Sequence, residues 1–213
     1  MRIAVTGGTG FIGRYIVRCL VELGNTCRCW HRPTSDRGGL GDITDSVEWI
    51  AGELADGNES AFVGGCDAVV HAALHHPGRG FRAREGNLVP FVQKNVVGTI
   101  QLIEAAVRAG VGRFVFVSAC AVHEKILDDR PLDETHPLWP ASHYGAHKAA
   151  IEKFVHSYAL GMGWCRRTST RACARSPACA MVGLPHAKPS RSSQCRTPGW
   201  LRCCHTWPRR LRP

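Results

Sequence analysis

Three groups of residues in this 213-residue chain combine types and spacing that suit chemistry. Gly7, Gly10 and Gly13 stand three apart, directly after the apolar run Ile3-Ala4-Val5. That spacing suits a pyrophosphate. Gly7 permits a tight turn, Gly10 lets backbone N–H groups approach phosphate oxygens, and Gly13 lets the next helix pack against the strand. The N-terminus of that helix, opening at Phe11 and Ile12, then faces the anion. Tyr144 and Lys148 form the second group. Four residues apart on a helix, they share a face, and an ammonium near a phenol favours the phenolate and brings it toward a useful acid–base pKa. The third group is His31 and Arg32, with Arg28 and Arg37 close in sequence and no carboxylate at His31 or Arg32.

Regular elements have to position these groups. Ile3 to Thr6 reads as a first strand, and the helix after it carries Phe11, Ile12, Tyr15, Ile16, Cys19, Leu20 and Leu23 on its apolar face up to Gly24. Thr26–Trp30, Val47–Leu54, Ala68–Ala73 and Arg113–Ser118 read as further strands. Between the last two, Phe91 to Ala109 reads as a helix with Val92, Val96, Ile100, Ile103 and Val107 on one side. Tyr144 to Leu160 reads as another. Strands alternating with helices predict an α/β fold, a Rossmann-like doubly wound parallel sheet with right-handed crossovers. The loops after Thr6, Ala73 and Ser118 are expected to converge on one crevice at the carboxyl ends of the strands.

The composition changes sharply along the chain. Residues 1–163 carry sixteen Lys/Arg and seventeen Asp/Glu, whereas 164–213 carry ten Arg, Lys188 and no acidic residue. The same segment holds six of the eleven cysteines and half of the prolines, so the net charge of +10 describes the tail. The expected organisation is a nucleotide-binding domain at 1–163 and a basic, disordered tail at 164–213. Such an abrupt change is the pattern given by GC-rich DNA translated out of frame. The tail arginines form no stripe or helix, which argues against specific nucleic-acid binding. No apolar run approaches the ~20 residues that span a bilayer, so the reading is a cytoplasmic chain with no membrane partner. Cys19, Cys27, Cys29, Cys66 and Cys120 lack paired C-x-x-C spacing and are read as reduced core thiols, with no metal site.

Taken together, Thr6–Gly13, His71-Ala72-Ala73, Asn95-Val96-Val97-Gly98-Thr99, Phe114–Ser118 and Tyr144-Gly145-Ala146-His147-Lys148 occur in the order of one family. Over about residues 2–163 the chain resembles the extended short-chain dehydrogenases/reductases, the group of sugar-nucleotide epimerases, dehydratases and dihydroflavonol-type reductases. The resemblance implies an NAD(P)-dependent enzyme working by hydride transfer on a carbinol or carbonyl of a small molecule or sugar nucleotide. Tyr144 would be its acid–base, and Lys148 would support the tyrosine and hold the nicotinamide ribose. Asn95 would brace the site, with Glu53 and Leu54 near the adenine and Ala72 and Ala73 beside the cofactor. It also implies a homodimer through the helices at 91–109 and 144–160. The last strands and the small C-terminal substrate domain of the family have no counterpart after Trp164. The alternative is a non-catalytic, redox-sensing NAD(P)-binding module or an inactive fragment.

Two positions depart from the family. The serine expected after the fifth strand falls on Ala119, with Ser118 next to it, and neighbouring side chains on an extended chain face opposite ways. Ser118 therefore serves as the third catalytic residue only if the strand end twists or the local alignment slips by one residue. At the end of the second strand, His31 and Arg32 replace the acidic residue that would hold the 2′-hydroxyl of NAD. Guanidinium groups there favour a 2′-phosphate, making NADP the preferred cofactor over NAD.

Overall fold

The structure, a computed structural model, describes residues 1–76, 87–123 and 136–161. The tail at 164–213, with its expected disorder and reading-frame origin, lies outside the described residues.

Five strands form one parallel sheet: β1 (Arg2–Thr6), β2 (Thr26–His31), β3 (Val47–Ala51), β4 (Ala68–His71) and β5 (Arg113–Phe116). Their order is β3-β2-β1-β4-β5, so the chain reverses direction across the sheet between β1 and β4. Such a switch point leaves a crevice at the carboxyl ends of the two strands. The doubly wound architecture read from the sequence is the one present. β3, β4 and β5 end at Ala51, His71 and Phe116, short of the expected ends at Leu54, Ala73 and Ser118.

The strands are apolar on both faces because both are covered. Ile3 and Val5 project to one side with Cys27, Cys29 and Val47, under Val17 and Leu20 of α1 (Phe11–Glu22). Ala4, Trp30, Val69, Phe114 and Phe116 project to the other, against Phe62 of α2 (Glu59–Val63), Leu102 and Ile103 of α4 (Gly98–Arg108) and Ile151 of α5 (His143–Gly161). The α1 face differs from its expected one. Val17 is sealed, whereas Phe11, Ile12, Tyr15 and Leu23 are exposed. The expected helix at 91–109 is three pieces: α3 (Leu88–Val92), a π-helical turn at Gln93–Val97, then α4. Its inward residues are Phe91, Asn95, Thr99, Leu102, Ile103 and Ala106, while Val92 faces outward. The widened turn adds a residue, which rotates everything before it relative to α4.

Of the five cysteines among the described residues, Cys27, Cys29 and Cys66 are buried and Cys19 is half-buried. Burial pushes the Cys27 thiol up to about 12, which leaves it protonated and unreactive at neutral pH. Cys120 departs from the expected core placement: it is exposed on the 3₁₀ turn Cys120–His123, where the chain leaves β5 for the surface.

Arg28 corrects a second expectation. Its guanidinium is buried beneath α2, donating to the carbonyls of Ala61 (3.2 Å), Phe62 (3.1 Å) and Gly64 (2.7 Å) and to Glu48 (3.0 Å). It closes the C-terminus of a five-residue helix. Arg37 lies 5.7 Å over the Trp49 ring. Neither helps form the crevice. Arg28→Met is therefore expected to cost about 2–4 kcal/mol, because it strands the buried carbonyls at the end of α2. Urea denaturation measures that loss, and the ratio of NADP to NAD affinity should stay at its wild-type value.

Candidate functional site

The β1–α1 turn leaves no room for side chains. A Cβ on Gly13 would lie 1.9 Å from the Gly7 carbonyl oxygen, and one on Gly7, at φ +73°, would lie 2.7 Å from the Ala73 nitrogen. Gly10 N donates to Gly7 O at 2.9 Å, closing the turn. At the mouth of α1 no side chain caps the first amides, and no acidic residue sits in the first turn. The positive helix end is thus open to an anion.

Beside this turn lies a crevice lined from several directions. Gly7, Thr9 and Gly10 come from β1–α1, and Trp30, Arg32 and Ser35 from the end of β2. Gly52, Glu53 and Leu54 follow β3, Ala72 to His75 follow β4, and Lys94 comes from the π turn. The sequence identifies Gly7, Gly10, Arg32, Glu53, Leu54, Ala72 and Ala73 among these. It misses Thr9, Ser35, Gly52, Leu74 and His75, whose positions depend on loops with no periodic signal, and Trp30 of β2 and Lys94 of the π turn, whose direction needs the sheet in place. Phe11 and Ile12 are correctly placed in the chain but are not crevice residues by side chain. They point to solvent, and only their amides face the turn.

Asn95 braces the crevice from behind. Its Oδ1 accepts from His75 N (2.8 Å), and its Nδ2 donates to the carbonyls of His75 (2.9 Å) and Phe91 (3.0 Å). Next to it runs a buried polar chain. Ala73 N donates to Thr6 Oγ1 (3.2 Å), Thr6 Oγ1 lies 2.6 Å from His71 Nδ1, and His71 Nε2 lies 2.9 Å from Thr99 Oγ1. Thr99 spends its hydroxyl proton on the Asn95 carbonyl at 2.6 Å. Donor accounting then assigns the proton of His71 to Nε2 and makes Nδ1 the acceptor from Thr6. Burial holds this ring neutral, with its pKa down at about 3.

The crevice's outer wall is held by surface ion pairs. Arg14 joins Asp36 (2.9 Å) and donates to Thr9 O (2.9 Å), tying the glycine turn to the loop after β2. Arg18 pairs with Asp42, and Lys94 with Glu53 at 2.8 Å.

Tyr144, Lys148 and Ser118 lie at the neighbouring strand end, around β5, and do not line the crevice. Tyr144 and Lys148 are on successive turns of α5 as expected, but their electrostatics differ from the sequence reading. Burial, with Cys120 nearby, raises the Tyr144 phenol above its ordinary value. Lys148 is buried, donates to Val117 O at 2.7 Å, and sits 4.5 Å over the Phe116 ring. Burial pushes its pKa down to about 8. The ammonium is thus directed to the strand end, and the expected lowering of the phenol is absent. The Ser118 hydroxyl donates to the Glu152 carboxylate of α5. His147, between the two motif residues, is buried against Tyr144 (5.3 Å between rings) and Phe91 (5.1 Å), with its pKa down at about 4. The His123 ring bonds at the surface, 3.1 Å from Pro137 O.

A glycine-built anion turn at the switch point of a parallel sheet defines a nucleotide-binding α/β protein. Residues 3–174 match the NAD dependent epimerase/dehydratase family, and the chain belongs to it. It is 34% identical over 171 residues to a dTDP-glucose 4,6-dehydratase of Mycobacterium tuberculosis (strain CDC 1551 / Oshkosh), covering 76% of this chain and 50% of that one. It is 28% identical over 168 residues to a Synechocystis sp. protein named as a dihydroflavonol 4-reductase, covering 79% and 44%. Among solved structures it resembles DesIV, a dTDP-glucose 4,6-dehydratase of Streptomyces venezuelae with NAD and TYD bound. The TM-score is 0.67 at 33% identity, over 76% of this chain and 53% of that one. It also resembles the UDP-glucose 4-epimerase of Thermus thermophilus in complex with NAD, with a TM-score of 0.66 at 30% identity, over 76% and 52%. The chain spans about half the length of these relatives.

Two buried neutral histidines make stability pH-dependent. His71 and His147 have folded pKa values of about 3 and about 4, below the 6.5 of the unfolded chain. Their contribution is complete above pH 6.5 and is lost as pH falls, since the unfolded state then binds the extra protons. Each is expected to remove about 1.4 kcal/mol per pH unit below 6.5. Urea denaturation at pH 7.0 and 5.5 checks this, and His147→Asn should reduce the difference by about half.

Proposed function

We propose that this chain is the nucleotide-binding part of an NAD(P)-dependent oxidoreductase, epimerase or dehydratase acting on a carbinol or carbonyl of a small molecule or sugar nucleotide. The observation that carries it is the crevice itself. The glycine turn excludes side chains from its own surface, and the uncapped start of α1 opens beside it. The residues present fit a dinucleotide. The amides of the Gly7–Gly13 turn would take the pyrophosphate, Glu53, Leu54 and Ala72 would surround the base, and Ala73 would lie beside the chain of the cofactor. When bound, the nicotinamide supplies a hydride acceptor and donor. Tyr144 holds a proton at its phenolic oxygen, to be exchanged with a substrate oxygen. Lys148 carries the positive charge of the site one turn further on.

NADP is the favoured cofactor. Arg32 and Ser35 line the crevice at the end of β2, and Asp36 is turned away onto Arg14 and the Gly38 amide. No carboxylate of that loop lines the crevice to claim a 2′-hydroxyl, whereas a guanidinium does. A homodimer through the 91–109 and 144–160 helices is consistent with exposed Val89 and Val92 before α4 and exposed Phe154 and Leu160 on α5. One observation favours the second reading, a redox-sensing module that binds without turnover: Ala119 replaces the expected serine, and Ser118 is engaged by Glu152.

Two measurements test this. Arg32→Ala is expected to weaken NADP binding about 10- to 100-fold, as for one charge-assisted contact, and to leave NAD binding unchanged; calorimetry reads both. Tyr144→Phe is expected to retain cofactor affinity and lose about 10²–10⁴ in rate on a panel of alcohols, ketones and sugar nucleotides. Binding without turnover by the unaltered chain on that panel would decide for the sensor.

A further inference from the structure

Glu152 is buried at 7% exposure. It follows Lys148 by one helical turn and Tyr144 by two, so the three side chains run down one stripe of α5. Its carboxylate takes the Ser118 hydroxyl bond, joining α5 to the end of β5. Lys148, 4% exposed, is anchored on the carbonyl of the preceding residue, Val117. Carboxylate and ammonium therefore grip adjacent residues of the same strand end.

We propose that Glu152 is a positioning residue for the Tyr144–Lys148 pair: its buried carboxylate fixes Ser118 and supplies the counter-charge for the Lys148 ammonium. This deepens the reading of the site given above and rests on it for the role of the pair. The physical need is plain. An ammonium taken out of water gives up its proton unless a negative charge or hydrogen-bond acceptors hold it. The groups facing Lys148 are the Val117 carbonyl, the Phe116 ring, His71 of β4 and His147 on its own helix. The two histidines are neutral, and in charged form each would repel the ammonium. Glu152 is the group that opposes the loss of the proton.

The alternative is a merely structural tie between α5 and β5, and titration separates the two. The full chain, labelled with ¹³C at the lysine ε-carbons, has five lysines, and Lys148→Arg assigns the Lys148 signal. The wild-type midpoint is expected at about 8. Glu152→Gln, which keeps size and hydrogen-bonding capacity but removes charge, is expected to lower it by about one unit or more. Ser118→Ala, which removes only the tie, should leave it near the wild-type value. An unchanged midpoint in Glu152→Gln overturns the proposal, as does an equal fall in Ser118→Ala. Where the Gln variant does not fold, Glu152→Asp decides: with the charge retained, a midpoint near wild type supports the proposal, and a fall of about a unit or more overturns it. No cofactor is needed for these readings. A chain that shows the Glu152-dependent midpoint but binds no NADP or NAD therefore refutes the cofactor assignment while supporting the counter-charge.

Discussion

His71 reaches Thr6 on one side and Thr99 on the other, and both bonds require a ring carrying one proton, on Nε2. Through Thr6 it meets the amide of Ala73, and through Thr99 the carbonyl of Asn95. The end of β1, the loop after β4 and the π turn are thereby registered against each other at bonding distance. The glycine turn depends on that registration, since Gly7 approaches Ala72 and Ala73 more closely than any side chain would allow. A sheet edge held only by apolar packing tolerates small shifts, whereas a fully satisfied polar chain has one geometry.

The π turn is part of the same construction. Within it, Asn95 addresses the backbone of His75 while α4 keeps its apolar face on the sheet. The cost of a widened turn is offset by three bonds from one amide side chain. Gly98, which begins α4, lies so close to Ala55 that a Cβ would stand 2.8 Å from its nitrogen. Helix and crevice wall thus meet without a gap.

The strands and the anion turn are legible in the sequence because period and glycine spacing are local signals. The faces of the helices are less so. Phe11, Ile12 and Tyr15 read as core from their apolar character, yet the first turn of α1 projects past the sheet end, and apolar residues on a surface are common. Val17, sealed in the core, does not stand out from the sequence. Arg28 resembles a phosphate ligand because sequence places it four residues from Arg32. Its true partners belong to α2, a five-residue helix too short to leave a periodic trace. Lys148 carries the right spacing but the wrong electrostatic consequence, because burial and the Val117 carbonyl, invisible in one dimension, outweigh its nearness to Tyr144. Glu152 does leave a signal, a carboxylate one turn beyond Lys148, but its inward direction requires β5 to be in place.

The two walls of the crevice are held by different physics. The inner wall depends on buried, neutral hydrogen bonds among Thr6, His71, Thr99 and Asn95. The outer one depends on Arg14–Asp36, Arg18–Asp42 and Lys94–Glu53, all with partly or largely exposed side chains. Exposed ion pairs are worth little singly and are screened as salt rises. Ionic strength therefore acts mainly on the outer wall of the crevice. At high salt the loop after β2 gains freedom, so the crevice widens on that side.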